Sequence, residues 1–497
     1  MLCFCGCMPS AEMSNSPKIV GRVSPAGRNP TSNGSAHGDV GLRQSVVSLS
    51  NHEAANPTYR GVAGDEWKSL SIADAPIEIV DGDRGVNYPK QDDFSSVGHC
   101  LFLNTGNVTT TGFSFSDRSF ITKEKDDTLR KGKLKRHDVV LTTRGTVGNT
   151  ALFDESAPFE HVRINSGMVL LRADQTKLLP RFLYLFVRSP NFKEQVASLS
   201  TGSAQPQLPI RDIRRVQIPL PPIPEQKAIA HILGTLDDKI ELNRRTNATL
   251  EAMARALFQS WFVDFDPVRA KLDGRQPAGL DAVTAALFPA HFQDPPLGHI
   301  PQGWEVRSLD QIAHFLNGLA LQKYPPGDGA TLPVIKIAQL RKGDSEGADR
   351  CNTELAPQYI VEDGDVLFSW SGSLEVELWC GGRGALNQHL FKVTSPEFPK
   401  WFYYFWTRYH LDEFRLIAAG KATTMGHIQR GHLTAAKVFV PPPDLLKAMN
   451  LIMAPLIDQI IGNRTQSRTL ATLRDVLLPK LLSGELSVSD RMAEIAT

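Results

Sequence analysis

The sequence predicts a mixed α/β (α+β) molecule: two pseudo-symmetric globular domains separated by two long antiparallel helices that form a coiled coil. Three observations carry this. Shifted by 220 residues, Pro221–Ser260 lies on Pro441–Lys480 without a gap, and thirteen positions are identical, among them Lys227/Lys447, Asp238/Asp458, Asn243/Asn463 and Arg244/Arg464. Within each copy, apolar residues recur in steps of three and four, the pattern of a coiled-coil seam. Each copy follows a stretch with the same order of short β-rich runs and a late aromatic segment. Two copies of so long a unit do not make a solenoid, which needs more and shorter repeats.

Along the chain, residues 1–60 are rich in Ser, Asn, Gly and Pro and read as a disordered extension. A first domain spans 61–218. The first helical unit, 219–263, opens on Pro219-Leu-Pro-Pro-Ile-Pro224, since proline is extended and stops the preceding domain. Glu225 then suits the positive end of a helix dipole. Its seam runs through Ile229, Ile232 or Leu233, Leu236, Ile240, Leu250, Met253, Leu257 and Trp261. A Pro-, Gly- and Asp-rich linker covers 264–301. A second domain spans 302–439, and the second helical unit, 440–485, has its seam at Met449, Ile452, Leu456, Ile460, Leu470, Leu473, Leu477 and Leu481. A loose tail covers 486–497. About 38 helical residues at ~1.5 Å each make a rod of roughly 57 Å. Asn243 and Asn463 fall where each seam calls for an apolar residue, and a buried Asn fixes register at some cost in stability. Pro455 should kink the second helix or delay its start.

The two domains echo each other. Phe102-Leu-Asn104 with Asn107 parallels Val334-Ile-Lys336 with Gln339, and Asp138-Val-Val-Leu-Thr142 parallels Asp365-Val-Leu-Phe-Ser369. Gly64-Asp-Glu-Trp-Lys-Ser-Leu70 is aligned with Gly303-Trp-Glu-Val-Arg-Ser-Leu309. The aromatic stretch Trp401–Trp406 reads as core rather than as a base-stacking platform.

Composition bounds the function. The chain has 497 residues, 41% hydrophobic and 22% charged, with net charge +1. No apolar run approaches the ~18 residues of a membrane span. The six cysteines form no disulfide framework, which suits a reducing cytoplasm. No phosphate-binding Gly-x-x-x-x-Gly-Lys-Ser/Thr loop is present. Asp294-Pro-Pro-Leu297 lacks the aromatic residue of an amino-methyltransferase tetrapeptide. The histidines show no metal or catalytic grouping. The chain therefore reads as non-catalytic, with no metal.

Charge is uneven. Between Asp117 and Arg144, nine Lys/Arg face five Asp/Glu, a local +4. Lys123, Lys125, Lys133 and Arg136 lie in this run. Thr142, Thr143, Arg144 and Thr146 follow, placing a base-reading guanidinium on a loop beside hydroxyls suited to phosphate. Asn104 and Asn107 join them as candidates for DNA contact. In the second domain the candidates are Lys336, Gln339, Arg341, Lys342 and Ser371, with Lys421 and Thr423 in a late loop. Net charge is weak for a free-standing DNA binder, but two domains at a fixed spacing would multiply their selectivity. A protein-binding scaffold remains the alternative.

Pro221-Pro-Ile-Pro-Glu-Gln-Lys-Ala-Ile-Ala230, Leu236-Asp-Asp-Lys-Ile240 and Trp261-Phe-Val-Asp-Phe-Asp-Pro267 resemble the central repeat of the specificity subunits of Type I restriction-modification enzymes. Leu297-Gly-His-Ile-Pro-Gln-Gly-Trp304 and Leu478-Pro-Lys-Leu-Leu-Ser-Gly-Glu485 are similar to that family too. The resemblance implies two target-recognition domains, each reading half of a bipartite site in double-stranded DNA. It implies two methyltransferase subunits docked on the helices, at residues such as Glu225, Gln226, Lys227 and Lys447, and motor-nuclease subunits that join them. S-adenosylmethionine, ATP and magnesium would belong to those partners. The second proline run departs from the pattern, reading Pro443-Asp-Leu-Leu where the first has Glu-Gln.

Overall fold

A computed structural model of the chain describes residues 59–60, 66–199, 207–293, 299–420, 426–486 and 488, all within one compact unit, Asn56–Thr497. The expectation of disorder in residues 1–60 falls almost wholly outside them.

The first domain, here the first head, begins with strand β1 (Glu66–Ser71) and β2 (Ile77–Asp81). There follow β3 (Cys100–Leu103), β4 (Phe120–Ile121), helix α1 (Lys123–Thr128), β5 (Val139–Thr142), β6 (Thr150–Leu152), β7 (Val162–Ile164) and β8 (Met168–Ala173). Helices α2 (Pro180–Arg188) and α3 (Pro190–Leu199) and strand β9 (Gln217–Leu220) lead into the long helix α4 (Ile223–Phe258). Four antiparallel strands in the order β2-β8-β5-β6 form the main sheet, and β7-β3-β4 form a second. Both faces of the main sheet are covered. Val139, Leu141, Val169 and Leu171 point to the helices, while Val140, Met168 and Leu170 point to the second sheet. Burial on both faces is why β5 and β8 read as unbroken apolar runs.

The second head repeats this plan. Its strands are β10 (Glu305–Ser308), β11 (His314–Asn317), β12 (Thr331–Ile335), β13 (Arg350–Asn352), β14 (Ile360–Val361), β15 (Val366–Ser369), β16 (Val376–Leu378), β17 (Gly384–Leu386) and β18 (Leu390–Thr394). Helices α5 (Lys400–Tyr409) and α6 (Leu411–Ala419) and strand β19 (Lys437–Val440) precede the second long helix, α7 (Pro443–Leu482). The main sheet order, β11-β18-β15-β16, is that of the first head, and β3 with β7 and β12 with β17 are the parallel pairs. The ladders correct one alignment. Ser71 pairs with Gln217 and Ser308 with Lys437, so Trp67 corresponds to Trp304, two residues from the match drawn on the sequence. The serines at 69 and 71, each followed by an aliphatic residue, misled it; only the ladder fixes the register.

The linker is not a bare connection. It forms short helices at Asp266–Leu272 and Ala282–Leu287, and Phe265, Val268, Phe288 and Ile300 enter the second head's core together with Trp401, Phe402 and Trp406.

The two long helices pack side by side and run antiparallel. Arg474 pairs with Asp237 at 2.7 Å, Asn243 donates to Ser467 at 3.2 Å, and Asn463 donates to Asn247 at 2.9 Å. As numbers rise on α4, their partners on α7 fall. Each head caps one end of the pair. Ile229 and Leu233 of α4 and Leu478, Leu481 and Leu482 of α7 join the first head's core; Ala254 and Phe258 of α4 and Leu445, Met449, Met453 and Ile457 of α7 join the second's.

Three seam expectations change. Met253 and its repeat mate Leu473 are exposed, and Ala254 and Arg474 take the inner positions. A strict 3.5 repeat drifts against the 3.6-residue turn, and here a step of four replaces the expected three. Helix α7 runs unbroken through Pro455. The carbonyl deprived of its donor is that of Leu451, whose residue is exposed, so water can satisfy it. Finally, α7 does contain an 18-residue window of mean hydropathy 1.3, apolar enough by composition to cross a membrane. Lys447 and Asp458 interrupt the run without lowering its average much. The inner stripe Leu445, Met449, Met453, Ile457 and Ile460 packs in the second head's core, which accounts for the apolarity.

Candidate nucleic-acid interface

In the first head three segments converge at the C-terminal end of β5. They are the turn after β5 (Thr142–Asn149), the short helical turn Thr105–Asn107, and the loop between β7 and β8 (Asn165–Gly167). The backbone N–H of Thr143 donates to the Gly167 carbonyl at 2.8 Å, Leu208 N–H donates to the Thr143 carbonyl at 3.0 Å, and Arg144 bridges to Gln207. Close packing demands glycine here: a Cβ on Gly82 would lie 2.2 Å from the Asn165 carbonyl oxygen. Arg144, Thr146 and Asn104 are exposed on this end. Arg144 has no side-chain partner among the described residues, and Arg84 joins the group by donating to the Ser166 carbonyl at 3.3 Å.

Several predicted contacts are instead structural. Thr142 is fully buried, and its hydroxyl donates to the carbonyls of Thr146 and Asn149, closing the turn. The Thr143 hydroxyl donates to the Gly167 carbonyl at 3.0 Å. Asn107 is buried; its amide donates to Ser114 and Asp117 carbonyls, and its oxygen accepts from the Asn104 N–H. Arg136 lies over the Phe153 ring at 4.3 Å and donates to the Ala157 and Phe159 carbonyls. Lys133 pairs with Asp126, a fully buried carboxylate that also accepts from buried Arg163. Burial pushes the Asp126 carboxyl up, but the hydrogen bonds from Arg163 and Lys133 outweigh it and hold the group below the usual carboxylate range. The same burial, with Asp126 alongside, pushes the Cys100 thiol up to about 12. Lys123 and Lys125 pair with Asp127 and Asp93 at the surface, at 3.5 and 3.0 Å. Four of the run's nine basic side chains, Lys123, Lys125, Lys133 and Arg136, are thus engaged within the head, while Arg118, Arg130, Lys131, Lys135 and Arg144 are exposed.

The second head forms the same constellation with different side chains. Gly318 lies against the Asn387 carbonyl as Gly82 does against Asn165, Trp370 N–H donates to the His389 carbonyl, and Ile428 N–H donates to the Trp370 carbonyl. Ser371, predicted to contact DNA, is buried and hydrogen-bonded to His389 Nδ1 at 2.9 Å. Asn317, Trp370, Gln388, His389 and His427 make up the cluster; the Trp370 indole donates to Asn317 Oδ1 at 2.9 Å. None of these five was singled out from the sequence, because none is Lys or Arg and no run marks them. Lys336 pairs with Asp349, and Lys342 with Asp344 and Glu346. Gln339 caps its helix by accepting from the Lys336 N–H. Arg341 is exposed. Lys421 and Thr423 lie outside the described residues.

Between the heads, Asn243 and Asn463 are buried, 2% and 6% exposed, and both bond across the helix pair. Asn247, missed in the sequence, completes the network by donating to the Ile460 carbonyl at 3.2 Å. Exchanging the two copies turns the contact Asn243–Ser467 into Asn463–Asn247, so the cluster sits on the molecule's pseudo-twofold axis. Of the docking candidates, Lys227 and Lys447 are exposed. Gln226 is fully buried and joins α4 to the first head through the Leu179 N–H and the Lys177 and Pro221 carbonyls. It is an internal clamp, and a bond from the Trp401 indole to Asn450, 2.9 Å, ties α7 to the second head. One carboxylate oxygen of Glu225 is buried without a hydrogen-bond partner among the described residues.

The profile of the family described as Type I restriction modification DNA specificity domain matches this chain twice, over residues 65–252 and 301–468. The chain belongs to that family. The two matches each contain one head and most of one long helix. A Methanocaldococcus jannaschii Type I restriction enzyme MjaIX specificity subunit is 28% identical over 358 residues, covering 69% of this chain and 78% of that protein. The Haemophilus influenzae HindI specificity subunit is 22% identical over 474 residues, covering 85% and 100%. The crystal structure of an S subunit from M. genitalium, 15% identical, covers 84% of this chain and 96% of its own with a TM-score of 0.49.

Proposed function

We propose that this chain is the non-catalytic DNA-reading subunit of a Type I restriction-modification complex in the cytoplasm. Each head reads one half of a bipartite site in double-stranded DNA, and the helix pair acts as a coiled-coil spacer that sets the distance between halves. Two methyltransferase subunits dock along the helices, with Lys227 and Lys447 on the exposed faces available to them, and motor-nuclease subunits complete the complex. S-adenosylmethionine, ATP and magnesium bind on those partners.

The observation that supports this best is the pair of exchange-related contacts Asn243–Ser467 and Asn463–Asn247. A pseudo-twofold axis through the helices presents two like surfaces at opposite ends, the arrangement a bipartite DNA site needs. A near-neutral chain suits a subunit whose partners supply further DNA contact.

Reconstitution tests it. The purified chain with its methyltransferase subunits should methylate plasmid DNA at a bipartite motif, and neither component alone should do so. Methylation by the isolated chain would make it an enzyme; a motif independent of this chain would make it a scaffold.

A further inference from the structure

The two heads place their loops alike but fill one shared position from opposite sides. Backbone bonds fix the correspondence, Thr143 with Trp370 and Gly167 with His389, because the Thr143 N–H donates to the Gly167 carbonyl and the Trp370 N–H to the His389 carbonyl. Arg144 therefore corresponds to Ser371, and their bridges, to Gln207 and His427, agree. In the first head the strand-end position carries the long Arg144, and the loop opposite is glycine. A Cβ on Gly167 would meet Thr105 Cγ2 at 3.0 Å and Arg144 Cβ at 3.8 Å, so the space belongs to those side chains. In the second head the strand-end position carries the small Ser371, and the loop opposite carries His389. Large and small have changed places.

The second head also holds its large side chain in one orientation. His389 Nδ1 faces the Ser371 hydroxyl at 2.9 Å, and its Nε2 lies 3.3 Å from the Gln388 amide nitrogen. The loop itself is pinned by Gln388 N–H to the Leu319 carbonyl, Asn387 N–H to the Ile335 carbonyl, and the Trp370 indole to the Gln388 carbonyl. A base edge that takes the place of the long 3.3 Å Gln388 contact frees Nε2 and the Gln388 amide, so a rigid imidazole and an amide can hydrogen-bond to a base edge rather than to phosphate charge.

We propose that His389, with Gln388 beside it, contacts bases of the second head's half-site, as the counterpart of Arg144 in the first head. The inference rests on the DNA-reading function above and names the residues that carry it in one head. The reading side chain differs between heads, a guanidinium in one and an imidazole beside an amide in the other, so the two half-sites should differ in the base pair read at the equivalent position.

The test uses the full chain assembled with its methyltransferase subunits, with modified bases located by sequencing the treated genomic DNA. In His389→Ala, discrimination at one base pair of one half-site should relax roughly 10- to 100-fold, with the other half-site and the spacer unchanged. Arg144→Ala should relax the opposite half-site alone. His389→Gln, which can still bond Ser371, should keep the spacer and the first head's half-site while altering preference at the same single base pair. An unchanged motif in both His389 variants, a change in both halves, or loss of all methylation would overturn the assignment. A wild-type complex that methylates no bipartite motif would overturn the DNA-reading function instead.

Discussion

If the helix pair sets the gap between half-sites, lengthening it must lengthen the gap by a calculable amount. The structure says where to do this. Ile240 and Leu470 face each other across the pair, between the Asp237–Arg474 contact on the first head's side and the Asn243–Ser467 contact at the axis. Seven residues inserted after both Ile240 and Leu470 leave the axial asparagines, the Gln226 clamp and every contact of the second head in place. Seven residues are two turns to within ~20° of azimuth, so the seam is preserved. At ~1.5 Å per residue the heads move apart by about 10.5 Å, and at ~3.4 Å per base pair that is about three base pairs. Sequencing of modified bases from the reconstituted complex should show both half-sites unchanged and the spacer longer by about three. The same insertion in α4 alone breaks the pairing and should lower stability without yielding a defined new spacer. Unchanged spacing with altered half-sites in the paired-insertion protein would refute the ruler and leave the helices a mere brace.

Three further outcomes follow from buried groups. Asn463→Ala and Asn247→Ala remove the two ends of one buried hydrogen bond, so a double-mutant cycle in chemical denaturation should show coupling of about 1 kcal/mol, and additivity would deny the network at the axis. Asp126→Asn leaves Arg163 buried without its counter-charge and should cost about 3–5 kcal/mol in the first head; a loss under about 1 kcal/mol in thermal or denaturant unfolding would contradict the burial. Because the folded carboxyl of Asp126 titrates below its ordinary value, its contribution is complete above the unfolded value of about 3.9 and fades as pH falls through the folded one; acid titration of Asp126→Asn should therefore show a shallower loss below about pH 4, and a slope identical to wild type would rule this out.

How much was legible depended on what each residue must satisfy. The helices were legible because register imposes a period, and two copies made the period visible twice. Asn243 and Asn463 stood out against it, whereas Asn247 did not, since its mate is Ser467 and the repeat gives no identity there. The head frame was legible where both faces of a strand are buried, as in Val139–Thr142. Its β1 alignment slipped by two because serine followed by an aliphatic residue occurs at both Ser69 and Ser71. The site was read poorly for a physical reason: basic residues were sought as a run, but Lys133 and Arg136 are consumed by Asp126 and by Phe153 and backbone carbonyls. Groups in the loop opposite, such as His389 and Gln388, belong to no run of Lys or Arg and are recognisable only once the fold brings them beside Trp370.

The heads are equivalent in topology but not in attachment. Arg464 bridges Glu251 at 2.8 Å and donates to the Leu378 carbonyl at 3.1 Å, and Arg468 grips Asp363 through two hydrogen bonds, 2.6 and 2.7 Å. The second head is thus bound along the middle of α7 as well as at the end of the pair. Glu377, in the same seam, is pushed up by burial against the opposing pull of Arg464. The repeat mates of these arginines are Arg244, which pairs with Glu241 on its own helix, and exposed Ala248, which cannot pair. Opposite them, Arg136 stands near the end of β5 where the second head has Asp363 before β15, and it turns into its own head. Among the described residues, the first head's polar ties to the helices lie at the end of the pair, at Gln226, Gly234, Asp237 and Asp238. The duplicated frame is therefore tied to the helices unequally, along the middle of α7 by the second head and at the end of the pair by the first. If the helices set the distance between half-sites as proposed, any freedom in orientation should lie at the first head, where an arginine on a long side chain would tolerate more angular spread than a buttressed imidazole.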